Sequence, residues 1–119
     1  MAFKLVVSDD IQFRVHFELT DGAAARAFTA VLSAKRCPGS ELDAKLNAPG
    51  RKVTDFLDGQ GLTLKAWGES GSPFVDDAGQ PVLAEQYGAL AALLGIPGMP
   101  ALVMSEYMVA NGARGKLGN

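Results

Sequence analysis

A chain of 119 residues with 48% hydrophobic and 20% charged side chains has apolar material for one core and too ordinary a composition for a disordered polymer. Its net charge of −2 argues against the basic field by which nucleic-acid binders displace counterions from phosphates. The single cysteine, Cys37, excludes an internal disulfide. The N-terminal segment also lacks the apolar run of a signal peptide or membrane span. A single cytoplasmic domain over residues 1–119 is expected.

Phe3-Lys4-Leu5-Val6-Val7 reads as a short strand, closed by the turn-forming Ser8-Asp9-Asp10. Then Ile11, Phe13, Val15, Phe17 and Leu19 alternate with Gln12, Arg14, His16, Glu18 and Thr20. A period of two predicts a strand with one apolar and one polar face. Asp21-Gly22 is a hairpin signal, and the return strand runs from about Arg26 to Lys35 with Phe28, Ala30, Leu32 and Ala34 on one face. One buried and one wetted face imply antiparallel pairing.

Pro38-Gly39 ends the sheet. Ser40, three residues before Asp43, is a weak helix-capping pattern, and Leu42 and Leu46 share a face of the short helix it would start. Pro49-Gly50 interrupts, and Val53, Phe56 and Leu57 mark a second helical piece ending near Gly59. Gly59, Gly61, Gly68 and Gly71 loosen the middle of the chain, where Leu62 to Trp67 suits a strand or the end of a helix. Asp76-Asp77-Ala78-Gly79, between Phe74-Val75 and Pro81-Val82, predicts a small hairpin.

Tyr87, Leu90, Ala91 and Leu94 fall at i, i+3, i+4 and i+7, the stripe of one helix. Gly95 is its expected C-cap and Pro97-Gly98 a corner. Pro100 suits the first turn of a second helix carrying Val103, Met104, Tyr107 and Met108, which Gly112 would stop. Residues 112–119, with three glycines, are expected to form a flexible tail. The fold class is therefore α+β: an N-terminal antiparallel sheet or hairpin, short helices, a small hairpin and a C-terminal helix pair.

No catalytic constellation stands out. His16 lies in the polar register of its strand, and Cys37 has no second thiol. Asp76-Asp77 with Gly79 lacks the alternating ligands and closing Glu of a calcium loop. Gly115-Lys116 is followed by Leu117 where a phosphate loop needs Ser or Thr. No enzyme activity, metal or cofactor is expected.

From Trp67 onwards a fixed order of features appears. After the Trp come Asp76, Asp77, Gly79 and Pro81, a Leu-rich helix ending in Ile96-Pro97-Gly98, and a helix bearing Tyr107. Gly112-Ala113-Arg114, Lys116 and Asn119 close it. With the Phe3–Val7 start, the two amphipathic strands and Lys35-Arg36, this order resembles the bacteriophage tail assembly chaperones of siphovirus-type tails. Two features depart from that pattern: Leu83-Ala84-Glu85 stands where relatives favour an aromatic-Ser start, and Pro100 is an additional proline.

The resemblance implies a non-enzymatic protein of the bacterial host cytoplasm, absent from the mature virion. Such a protein coats the helical tape measure protein, keeps it soluble and helps recruit the tail tube protein. Many members also exist in a longer, frameshifted form. The adaptable Met99, Met104 and Met108 and the aromatic Trp67, Tyr87 and Tyr107 suit a surface for helical anchors. The candidate protein-binding residues are Trp67, Tyr87, Leu90, Leu94, Met104, Tyr107 and Met108. A stripe of this kind is also what a core looks like. Open sheet edges leave room for a homo-oligomer. The alternative function is a small structural tail or neck component retained in the virion.

Overall fold

The computed structural model describes residues 3–113. Its order is β1 (Asp10–Asp21), β2 (Ala24–Lys35), α1 (Gly39–Leu46), α2 (Val53–Gly59), β3 (Thr63–Trp67), α3 (Ala89–Leu94) and α4 (Met99–Asn111). The strands form one antiparallel sheet in the order β1-β2-β3. Two helices separate β2 from β3, two more follow β3, and the sheet is wholly antiparallel, so the fold is α+β.

β1 and β2 pair from Asp10↔Lys35 to Asp21↔Ala24 without a register shift, around a two-residue turn at Gly22-Ala23. The alternation holds as expected: Ile11, Phe13, Val15 and Phe17 are buried, as are Phe28, Ala30, Leu32 and Ala34 opposite them. A slip of one residue would turn all of these side chains to water, which is why the register is sharply defined. The segment expected as a strand or the end of a helix is a strand, over Thr63–Trp67. β3 pairs with the stretch from Ala30 to Ser33, with a bulge between Val31 and Leu32. Just past β3, the Gly68 amide donates to the Thr29 carbonyl at 2.8 Å. A Cβ on Gly68 would lie 2.7 Å from Thr29 Cβ, so the close approach requires glycine there.

Tyr107 lies at the centre of the core and is fully buried. Its ring meets Phe13 of β1 edge-on at 6.1 Å and Phe56 of α2 at 5.6 Å, the geometry that aromatic quadrupoles favour. Its hydroxyl donates to the Lys35 carbonyl at 2.8 Å. One side chain of α4 thus ties together β1, α2 and the end of β2. Val103 and Met99, one and two turns earlier, continue the buried stripe.

Several sequence expectations need correction. Phe3 to Val7 is not a strand. The last sheet bond at that end runs from the Arg36 amide to the Asp9 carbonyl, and Pro38, with no N–H, soon follows. Among the described residues, 3–7 therefore have no neighbouring strand to pair with. The first helix starts at Gly39 with Pro38 as its N-cap and no side-chain cap, so Ser40 sits inside the helix. The small hairpin expected at 74–82 does form, as the antiparallel bridge Val75↔Pro81 with the Asp76 amide donating to the Gln80 carbonyl at 2.8 Å and the Val82 amide to the Phe74 carbonyl at 3.0 Å. Its turn is held by the Asp76 carboxylate accepting from the Ala78 and Gln80 amides at 2.9 Å.

The penultimate helix is also shorter than expected. Gly88 adopts a φ of 90° and stands as N-cap, so the helix begins at Ala89 and leaves Tyr87 outside it. The buried stripe of α3 is Ala89 and Leu93 rather than Leu90 and Leu94, which are its half-buried flanks. Gly95 as C-cap, Pro100 in the first turn of α4 and Gly112 as its C-cap are as the sequence indicates. Of the expected tail 112–119, residues 114–119 lie outside the described residues.

The place of Tyr107 makes two predictions for urea denaturation. Tyr107→Phe should lose about 1 kcal/mol, the net worth of one hydrogen bond, and Tyr107→Ala about 3–5 kcal/mol, the cost of emptying an aromatic core position. Burial also pushes the Tyr107 phenol above its ordinary value of 10.0. The unfolded chain therefore ionises first as pH rises: its contribution is complete below pH 10 and is lost as pH climbs through the folded value. Tyr107→Phe should flatten that alkaline loss, and a near-native Tyr107→Ala would contradict the core placement.

Candidate interaction surfaces

On the β3 side the ladder stops at Ser33, so the backbone groups of Lys35, Arg36 and Cys37 that β1 does not pair need partners from elsewhere. The sequence supplies two amides. Gln60, the buried C-cap of α2, donates through Nε2 to the Lys35 and Arg36 carbonyls at 3.1 Å, while its own carbonyl accepts the Lys35 amide at 2.7 Å. Lys45 of α1 donates to Gln60 Oε1 at 3.1 Å. Asn111, the last residue of α4, accepts from the Cys37 amide at 2.8 Å and donates to the Cys37 carbonyl at 3.0 Å. Among the described residues, no buried side-chain polar atom is left without a partner.

Beside this junction lies an open groove of about 830 Å3. One wall is the N-terminal arm, represented by Phe3, Leu5 and Val7; the other comes from Pro38 and Leu42 at α1 and Asn111 at the end of α4. Arg36 pins the base of the arm, its Nε donating to the Ser8 carbonyl at 2.9 Å. Lys35 pairs with Asp10 at 2.6 Å, and that hydrogen bond and charge hold the ammonium above its usual value. Lys4, Lys35 and Arg36 line the groove together with Asp9, so cationic side chains outnumber acidic ones along its rim. Away from its base the arm packs on little: Phe3 is 90% exposed and Val6 fully exposed. The groove can take an extended or helical apolar segment, with acidic groups matched to the rim.

The residues expected to form a helix-pair surface do not all converge. Tyr107 is interior and offers nothing to a partner in this conformation. Trp67 is half-buried; its indole N–H donates to the Val82 carbonyl at 2.9 Å and its ring lies 6.3 Å from Phe74, so it fastens the 74–82 turn to the sheet. Tyr87 is fully exposed in the bend before α3. Leu90 and Leu94 on α3, and Met104 and Met108 on α4, pack against the core with part of their surface open. Two exposed apolar side chains of α4, Leu102 and Val109, were missed by sequence reasoning. They lie seven apart in a 13-residue helix whose one charged side chain is Glu106, a signal that was available. The apolar arm was missed as a surface because its β-prone residues read as a strand.

His16 is exposed, its Nδ1 2.8 Å from Thr29 Oγ1. Cys37 is buried. No group of three or more His, Cys, Asp or Glu suited to a metal ion occurs among the described residues, and no described helix is long and apolar enough to cross a membrane. No family model, curated protein or solved structure matches this chain.

The Asn111 clamp makes a prediction of its own. Asn111→Ala leaves the Cys37 amide and carbonyl without these partners and should lose about 1–3 kcal/mol. In native buffer the Cys37 thiol should react faster with a disulfide reagent, because α4 no longer closes over it. Unchanged thiol reactivity would mean that the clamp does not hold this end of the molecule shut.

Proposed function

We propose that this chain is a non-enzymatic assembly chaperone of the tailed-phage kind, which binds an apolar helical protein, the tape measure protein, during tail morphogenesis in the bacterial cytoplasm. The tail tube protein is a second partner under the same reading. The observation that carries it is the unpacked apolar surface of a small protein: the arm at Phe3, Leu5 and Val6 beside its groove, and Tyr87, Leu102 and Val109 on the helical layer. Large apolar side chains left exposed in this number are unfavourable in water and favour an interaction role. The order of features from Trp67 to Asn119 gives the partner class, through its resemblance to the tail chaperones.

Binding here would follow the helix-in-groove mode, with side chains at i, i+3, i+4 and i+7 of the partner entering apolar ground. Met104 and Met108, half-buried against the core with part of their surface open, can repack around different anchors. A structural role in the particle is the second reading. It is favoured by the distal half of the β1–β2 hairpin, from Glu18 to Ala27, which extends past the end of β3.

The test is co-expression with the longest predicted-helical open reading frame found downstream of this chain's gene, scored by soluble recovery and co-purification. The native chain should keep that partner in solution. Phe3→Asp with Val6→Asp, or Leu102→Asp with Val109→Asp, should each weaken the complex roughly 30-fold or more, the scale of losing a central anchor, without lowering the melting temperature. Tyr107 is unsuitable for this test because changing it disrupts the core. No rescue by a well-expressed native chain would reject the chaperone reading, and stoichiometric retention in purified particles would favour the structural one.

A further inference from the structure

Among the described residues, β1 is an edge strand of 12 residues, Asp10 to Asp21, hydrogen-bonded to β2 alone. Exposed edges of that length are normally blunted by proline, lysine, a bulge or a covering strand. β1 contains neither proline, glycine nor lysine, and its register with β2 has no irregularity. The open edge is carried by the even-numbered residues. The Asp9 carbonyl accepts from Arg36 on the β2 side, and antiparallel alternation then directs the backbone groups of Gln12, Arg14, His16 and Glu18 outward.

We propose that two copies of this chain pair antiparallel through β1 about a two-fold axis at His16, joining their sheets into one of six strands. The charges select this register. With the axis on His16, Arg14 faces Glu18 of the second copy, and Glu18 faces its Arg14. Gln12 then faces Thr20. An axis on Arg14 or on Glu18 would instead set like charges opposite one another, which destabilises a strand pair. An axis on Val15 or Phe17 leaves Arg14 facing a histidine or a threonine.

The same register keeps both faces intact. Even positions meet even ones on the wet face, and Val15 meets Phe17, and Phe13 meets Leu19, on the core face. The outward backbone groups of His16, Arg14 and Glu18 fall in hydrogen-bonded pairs, as an antiparallel ladder requires. Among the described residues the ion pairs are Arg26–Asp21 and Lys35–Asp10, so Arg14 and Glu18 are in none of them. The contact is isologous and closes at two subunits, as two-fold contacts do. It lies on a different surface from the groove and the helical layer, and stands or falls independently of the chaperone reading.

The full chain should sediment as a dimer whose dissociation constant rises with salt. Arg14→Glu and Glu18→Arg each place like charges opposite one another twice and should weaken the dimer roughly tenfold or more. Both side chains are exposed, so neither change should lower the melting temperature. The double variant should recover the dimer, and an equimolar mixture of the two single variants should form the mixed dimer. Register is read by cysteine cross-linking, since hydrogen-bonded partners lie about 5.5 Å apart at Cα, within disulfide reach. His16→Cys should cross-link with itself. Gln12→Cys should cross-link only when mixed with Thr20→Cys. A monomer at all concentrations, a dimer indifferent to the charge swaps, or cross-links in another register would overturn the proposal.

Discussion

The fold depends on how the end of β2 is closed. Where β2 outruns β3, and where the chain continues past its last bond to Asp9, amides and carbonyls must find other partners or remain in water. Here Lys35, Arg36 and Cys37 receive them from three side chains on two helices: Gln60, Tyr107 and Asn111. Because Tyr107 and Asn111 are one turn apart on α4, fixing them fixes the helix's height and rotation against β1. The stripe Met99, Val103, Tyr107 then follows inward by helical periodicity. Polar satisfaction sets the register, and apolar burial supplies most of the stabilisation.

That arrangement also determines what is left outside. With the Tyr107 side turned inward, Leu102 and Val109 remain on the open face of α4. The clamp at Cys37 also brings the end of α4 up to α1 and to the base of the arm. Together they make the groove, whose walls come from segments far apart in sequence. The same interactions that complete the core therefore place two apolar surfaces where a partner can reach them. The sheet's outer edge is shaped separately, by the length of β1.

The parts of this fold legible in the sequence are those governed by local rules. The alternation from Ile11 to Leu19 forces a strand with a defined core face, and Asp21-Gly22 fixes its turn. Gly95, Pro100 and Gly112 act where backbone geometry alone requires them. What failed was non-local. Phe3 to Val7 has the composition of a strand, yet pairing needs a neighbour, and β2 has turned away by Cys37. Tyr87 fits the helical period, but Gly88 at φ 90° places the helix start after it. Tyr107 could not be assigned to core or surface, because α4 is apolar on nearly every side and periodicity then loses its contrast. The groove was invisible for the same reason: neither the arm nor Leu42 carries a local signal that they meet.

The outer half of the β1–β2 hairpin is a remaining physical problem for an isolated chain. Past Thr29 no third strand joins it among the described residues, and two-stranded ribbons are marginal in water. What steadies it is local. Phe17 and Phe28 stack at 5.8 Å, Arg26 lies 5.3 Å above the Phe28 ring, and Arg26 pairs with Asp21 at 3.6 Å. The ion pair is exposed and contributes little; the stacked rings, both buried, contribute most. The hairpin is therefore firm up to Phe17 and Phe28 and weakly held beyond them. At Glu18, Leu19 and Thr20 the free edge of β1 would gain most from a neighbouring strand, because extra ladder bonds add most where the strand has least support of its own.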